Sequence, residues 1–284
     1  MEIAVLGTGS YLPERVVDND EVGRAAGVDD EWIVSKTGIR QRRWVAEEQA
    51  TSDLAIEAAR AALDSAGVVA EDIAFVVVAT SSPDHPQPPT AVYVQDAVGA
   101  SGAAAFDMNA VCSGFVFAVA VVARMLAGGG GYALVVGADI YSHILNPEDR
   151  RTVALFGDGA GAVMLGPAGG VGHEEGRAVK EFVLEELPPL VAAFLDEAGV
   201  DPADVDHFVP HQANRLMLAE LFPRLGLTDA RMHETIVEYG NTGAASVGIT
   251  LDEAARAGEF DRGDLVLLAG FGGGMAAGLA LLRW

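Results

Sequence analysis

The chain has 284 residues, half of them apolar, and a formal net charge of −23. That length and apolar share exclude a disordered chain and leave one large domain or two fused halves. The acidity excludes a general nucleic-acid binder, although a local basic patch can still hold a phosphorylated cofactor.

Ile3 to Gly9 reads as a strand ending in glycines; GTGS alone is a weak dinucleotide signal. MEIAVLGTGS has no basic n-region, so no signal peptide is expected. Asp18–Gly27, Glu31–Lys36 and Ser52–Ala66 read as helices, the last two stopped by Gly38 and Gly67. Ile73–Thr80 is a buried strand, Ser81–Pro89 a loop, and Thr90–Ala97 a helix. Tyr132–Gly137 and Ala160–Leu165 are further strands.

Cys112 is the only cysteine. One cysteine excludes an intrachain disulfide framework and fits a reducing, cytoplasmic compartment. With six scattered histidines there is no metal site at ligand spacing. Cys112 follows the short apolar stretch Ala103–Phe106 and precedes an apolar helix that first meets charge at Arg124, short of the ~20 residues of a membrane span. A cysteine at such a strand-to-helix turn is either a nucleophile or a small buried hydrophobe. The helix N-terminus makes a thiol there easier to ionise.

The chain repeats itself. LDSAGVVAEDIAFV from Leu63 resembles LDEAGVDPADVDHF from Leu195. YALVVG from Tyr132 resembles LVLLAG from Leu265 at nearly the same spacing, and that spacing sets Cys112 opposite Ala245. Ser113 then falls opposite Ser246. Two fused copies of one α/β unit follow, residues 1–166 and 171–284, with a pocket expected between them. Near the expected junction lie VPHQAN (209–214), EYGNTGAAS (238–246) and AGFGGGMAAG (269–278). Taken alone, His211 is as readily a satisfied loop histidine as a functional one, and Asn241 a helix cap or turn residue.

Taken together, GTGSYLPERVV, DEWIVSKTGIRQRR, FDMNAVCSGF, YALVVGADI, FGDGAGAVML, VPHQAN, YGNTGAASV, GDLVLLAGFGGG and the terminal LLRW resemble the β-ketoacyl-acyl-carrier-protein synthases of type III, in the thiolase superfamily. The resemblance implies an α/β, five-layered αβαβα thiolase-like fold from two pseudo-symmetric halves, as a homodimer. It implies Cys112, His211 and Asn241 as the catalytic trio, with the N–H groups of Cys112 and Gly273 as the oxyanion hole. Trp32 and Arg150 match the positions that sandwich the coenzyme A adenine. By the same match Lys36, Arg40 and the neighbouring Arg42 and Arg43 lie near its entrance, Asn214 matches a pantetheine contact, and Arg177 stands at a coenzyme A-binding position. No cofactor is implied beyond coenzyme A thioesters as substrates, and no metal, nucleic acid or membrane.

The implied reaction is a decarboxylative Claisen condensation. Cys112 takes an acyl group from acyl-CoA, and malonyl-CoA or malonyl-acyl carrier protein loses CO2 to an enolate held by His211 and Asn241. A 3-oxoacyl thioester results, opening fatty-acid or polyketide synthesis. A carboxylate at 241 would repel the enolate and suit simple acyl transfer, so Asn241 favours condensation. The alternative is an acyltransferase of the same fold that moves the acyl group to a hydroxyl or amine. A non-catalytic partner subunit conflicts with the intact trio, and a thiolase would need a second cysteine.

Four departures from the resemblance stand out. The chain is short between residues 166 and 176, by deletion or omission. Arg177 and Lys180, on an expected helix Glu174–Phe182, replace the usual pantetheine contacts. Gln87 stands where an aromatic reaches across a dimer into the acyl pocket, implying a changed acyl preference. Glu181, Glu185 and Glu186 weaken the basic face an acidic carrier needs, leaving Arg215 and Arg224 as its main positive groups.

Overall fold

The computed structural model describes residues 3–167, 179–180, 183–273 and 276–284. The chain runs β1 (Ile3–Tyr11), β2 (Arg15–Asp18), α1 (Asn19–Ala26), α2 (Asp30–Thr37), β3 (Gln41–Trp44), α3 (Thr51–Ala66), β4 (Ile73–Ala79), α4 (Thr90–Val98), β5 (Ala104–Met108), α5 (Gly114–Gly129), β6 (Tyr132–Asp139) and β7 (Gly159–Pro167). It continues through β8 (Val179–Lys180), α6 (Val183–Ala198), β9 (His207–Pro210), α7 (Arg215–Leu221), β10 (Arg231–Met232), α8 (Ile236–Tyr239), α9 (Ala245–Arg256), β11 (Leu265–Gly272) and β12 (Ala276–Arg283).

Two five-stranded sheets have the orders β1-β7-β6-β4-β5 and β8-β12-β11-β9-β10. Position for position these are the same order. β6 begins at Tyr132 and β11 at Leu265, while α3 begins at Thr51 and α6 at Val183. Both pairs keep the spacing of the repeat in the sequence. Both sheets are apolar on two faces, as sheets covered on both sides must be. Val77 and Val135 face one core while Val76, Val78, Leu134 and Val136 face another. In the second sheet Val266 and Leu268 share the first core, whereas Leu265 and Leu267 face a third.

The shared core is the middle layer, where α5 and α9 lie between the sheets. α3 and α4 cover the outer face of the first sheet, and α6 and α7 that of the second. Five layers αβαβα result. The apolar character of α5 follows from this central position: Phe115, Val116, Val119, Val122 and Leu126 are all fully buried.

The glycines of GTGS serve packing. A Cβ on Gly7 or Gly9 would lie within 2.4 Å of the α3 backbone, so glycine lets α3 rest directly on β1. The helix expected over Glu174–Phe182 is corrected, because Val179–Lys180 is a strand that pairs with Ala276–Ala277 at the sheet edge. The rest of that stretch, Arg177 and Glu181 included, lies outside the described residues.

Candidate active site

Cys112 sits in a single 3-10 turn, Val111–Ser113, between β5 and α5. Val111 has φ of 51°, a left-handed conformation that a β-branched side chain rarely adopts. Its side chain packs toward Gly273, where an added Cβ would come within 3.2 Å of Cγ1. The strained residue thus aims the next one, Cys112, at the end of β11. There Gly272 leaves no room to spare, since a Cβ on it would lie 3.0 Å from Cys112 Sγ.

The expectation of an easily ionised thiol is corrected. Burial, reinforced by the Asp139 carboxylate, pushes the Cys112 thiol up to about 11. The backbone N–H groups of Gly273 and of Cys112 itself pull the other way. These are the two donors expected of the oxyanion hole, and both bear on the sulfur.

His211 follows β9, and its N–H donates to Ala269 O at 2.7 Å, which fixes the loop against β11. The ring stands edge-on to Phe271 at 5.6 Å, one residue before Gly272. Its Nδ1 is 2.7 Å from Ser246 Oγ at the start of α9. Burial lowers its pKa to about 3, so the imidazole is neutral. Gln212, fully buried, donates to Pro210 O and His233 O and accepts from Thr235 N and Ile236 N. It ties the His211 loop to the segment that leads to Asn241.

Asn241 is buried and held by its backbone: its N–H donates to Leu155 O at 2.9 Å and its carbonyl accepts from Gly157 N at 3.0 Å. Its side-chain oxygen accepts the Gly243 N–H at 2.9 Å. This is the turn role anticipated for an isolated asparagine, and it has a chemical consequence. With the oxygen tied back, the NH2 faces the other way, toward Ala213 beside His211, with Ala213 O at 3.5 Å.

Two residues central to this arrangement escaped sequence reasoning. Asp139, at the end of β6, is fully buried and accepts from Ser81 N at 2.8 Å and Ala244 N at 2.8 Å. Burial raises its pKa, and these hydrogen bonds oppose the rise. Ser246 is the other. Its hint was the repeat, in which it pairs with Ser113.

The proposed coenzyme A residues separate into two groups. The Arg150 guanidinium lies over the Trp32 ring, 5.5 Å from its centroid, so an adenine between them has to part the pair. Lys36 and Arg40 are exposed, and Lys36 O accepts from Asn214 Nδ2 at 2.9 Å. Asn214 also N-caps α7 through Leu216 N and Met217 N, so much of its amide serves structure. The Asn214 Nδ2 bond to Lys36 O ties α2, which carries Trp32 and Lys36, to the end of the His211 loop. Arg42, expected near the entrance, is corrected: it is fully buried, donating to Asn19 Oδ1 at 2.7 Å and Ala154 O at 2.8 Å. Arg43 is likewise engaged by the carbonyls of Pro13 and Glu14. Gln87 is exposed in the single chain.

A buried cysteine under two backbone N–H donors at the end of β11, a neutral buried histidine packed edge-on to Phe271 of the same strand, and an amide turned toward the histidine loop, on a duplicated five-layer fold, fit an acyl-transferring, carbon–carbon bond-forming class of enzyme. The comparisons agree. Residues 106–185 match the model of 3-oxoacyl-[acyl-carrier-protein] synthase III, and residues 195–284 that of its C-terminal part. The acetoacetyl CoA synthase NphT7 of Streptomyces sp. strain CL190 is 56% identical, over 99% of this chain and 98% of its own. The β-ketoacyl-[acyl-carrier-protein] synthase III of Oceanobacillus iheyensis is 39% identical, over 100% and 99%. Among solved structures, 3-oxoacyl-[acyl-carrier-protein] synthase III of Aquifex aeolicus superposes with a TM-score of 0.93 at 35% identity, covering 99% of this chain and all of that one. The priming β-ketosynthase of the R1128 polyketide pathway gives 0.95 at 31%, covering 99% and 96%. The chain belongs to the 3-oxoacyl-[acyl-carrier-protein] synthase III family. Its alignments to the two relatives run over 322 and 311 positions, more than its own 284 residues, so it is shorter internally than they are.

Proposed function

We propose that the chain condenses an acyl group held on Cys112 with a malonyl unit carried by coenzyme A, releasing CO2 and a 3-oxoacyl-CoA. The Cys112 thiol adds to the acyl-CoA carbonyl, the C–S bond to coenzyme A breaks, and the proton leaves on the coenzyme A sulfur. Malonyl-CoA then loses CO2, its C–C electron pair becoming an enolate. His211 and Asn241 donate to the enolate oxygen, and its carbon attacks the acyl carbonyl. The tetrahedral oxyanion forms against Cys112 N–H and Gly273 N–H, then collapses and expels Cys112, which regains a proton.

The observation that carries this reading is the Asn241 amide, whose oxygen is tied to Gly243 N while its NH2 faces the His211 side. Two neutral donors stabilise an enolate without a buried net charge. Coenzyme A as the extender's carrier rests on the cations. Arg215 faces Glu234 at 3.8 Å and Arg224 pairs with Glu220, so neighbouring carboxylates offset the charge each offers an acidic carrier protein. Among the described residues Lys36, Arg40 and Arg150 have no ion pair; Arg150 lies over Trp32, Lys36 stands one turn further along the same helix α2 and Arg40 follows that helix, and such cations suit a nucleotide's phosphates. The name of the 56% identical relative, an acetoacetyl CoA synthase, supports the same carrier.

A homodimer in the cytoplasm completes the reading. β5 is the outer strand of its sheet, with Phe106 and Met108 only partly buried, which leaves an edge for a second copy. In that assembly Gln87 reaches the partner's acyl pocket.

The test is intact-protein mass spectrometry with a panel of acyl-CoAs, followed by malonyl-CoA or malonyl-acyl carrier protein. The expected result is an acyl adduct on Cys112 that clears with CO2 release, faster with malonyl-CoA. Clearance only by an alcohol or amine would establish acyl transfer instead.

A further inference from the structure

Ser246 is fully buried, and its hydroxyl lies 2.7 Å from His211 Nδ1. The same oxygen receives the Gln212 N–H at 3.3 Å. Among the described residues, His211 Nδ1 is the one acceptor within reach of the hydroxyl proton. Thr250 Oγ1 donates to the Ser246 carbonyl and leaves the hydroxyl alone.

A serine hydroxyl has one proton, and a neutral imidazole has one N–H. Were the ring proton on Nδ1, the hydroxyl would receive two donors and its own proton would be buried without a partner, a costly arrangement. With the ring proton on Nε2, the hydroxyl donates to Nδ1 and accepts from Gln212, and every group is satisfied. We infer that Ser246 is a positioning residue that holds His211 as the Nε2–H tautomer, presenting a donor rather than a lone pair to the reacting oxygen. What that donor serves rests on the condensation proposed above; the tautomer does not.

The duplication supports a built role. Ser113, the counterpart of Ser246, also starts a central helix, and its hydroxyl donates across to Ala276 O at 2.9 Å. Both serines bridge a central helix to the second sheet. Only Ser246 has an imidazole as its acceptor.

The tautomer is read directly by long-range 1H–15N NMR of the wild-type chain labelled in histidine, with His211 assigned by its loss in His211→Ala. The expected spectrum has a protonated Nε2 and a bare Nδ1; a protonated Nδ1 in the wild type overturns the inference whether or not Ser246→Ala folds. Ser246→Ala is expected to mix the tautomers and lower malonyl-CoA decarboxylation by roughly ten- to a hundredfold, as loss of an imidazole's outer partner does elsewhere. KM and the acylation of Cys112 should be retained. Equal loss of acylation and decarboxylation, with an unchanged tautomer, would reduce Ser246 to a packing residue. A wild-type enzyme that acylates yet never decarboxylates malonyl-CoA refutes the condensation and leaves the tautomer readable.

Discussion

The Asp139 carboxylate accepts the backbone N–H of Ala244 at 2.8 Å, joining the end of β6 to the start of α9. Its other oxygen gathers Thr80 Oγ1, Ser81 N, Ser81 Oγ and Ser82 Oγ at the end of β4. One buried carboxylate therefore fixes the Asn241 side of the site against the turn after β4, and its charge bears on Cys112. Asp139→Asn offers one acceptor oxygen where two served, and turns two donors onto donors. We expect a stability loss of about 2–4 kcal/mol in urea unfolding. The apparent pKa of Cys112, read from the pH dependence of iodoacetamide alkylation, should fall below that measured for the wild type, because the Asp139 charge that raises it is gone. An unchanged pKa would assign the whole rise to burial.

Gly272→Ala tests how closely β11 approaches the nucleophile. The new methyl would stand 2.8 Å from Cys112 Cβ and 3.0 Å from Sγ, so the cysteine or the strand must move. Overpacking of this kind costs about 1–3 kcal/mol. A displaced nucleophile loses roughly a hundredfold or more in acylation rate. Single-turnover acylation by acetyl-CoA measures it, and a wild-type rate would mean that Sγ has room the structure denies.

Much of this arrangement is legible in the sequence. Two-faced apolar strands and the nearly constant offset between repeated stretches pointed to a duplicated, layered fold, because burial on both faces leaves continuous Val, Ile and Leu runs. The polar loops bearing His211 and Asn241 stood out against those runs. Electrostatics were less accessible. Cys112 at a helix start promised a lowered pKa, but burial and Asp139 reversed the sign, and neither is local in sequence. Arg42 looked like one of a surface cluster, whereas the β2–β3 pairing turns it inward onto Asn19 and Ala154. Alternation along so short a strand does not reveal which arginine points in.

Acid should loosen the molecule through its buried histidines. Burial holds His211 at about 3 and, with His207 and Arg231 beside it, His233 at about 4, both below the unfolded 6.5. Such groups add stability above pH 6.5 that is lost as pH falls through the folded values. Asp139 and Asp158, whose pKa values burial raises, offset part of the loss at the acid end. His233 Nε2 meets His207 Nδ1 at 3.0 Å, and a glutamine amide can donate or accept there, so His233→Gln keeps a polar partner while removing the titration. Urea midpoints at pH 7, 5 and 4 should decline more gently in the variant. An identical decline would clear His233 of the effect.

Asn241→Asp separates folding from chemistry at the enolate. A carboxylate has the same shape, and its oxygen can still accept the Gly243 N–H now found at 2.9 Å. The backbone links to Leu155 and Gly157 do not involve the side chain. The fold should therefore be kept, with a melting temperature lowered by the buried carboxylate now facing Ala213 O, and acetyl-CoA should still load Cys112. The amide's N–H donors, however, give way to a negative oxygen beside the place where the enolate's charge develops. Loss of one such donor costs roughly 10²–10³ in rate, and replacing it with a like charge adds repulsion. Release of 14CO2 from carboxyl-labelled malonyl-CoA should fall by at least that factor while the acyl-enzyme accumulates. Undiminished CO2 release would remove Asn241 from the decarboxylation and leave His211 as the enolate's only side-chain donor.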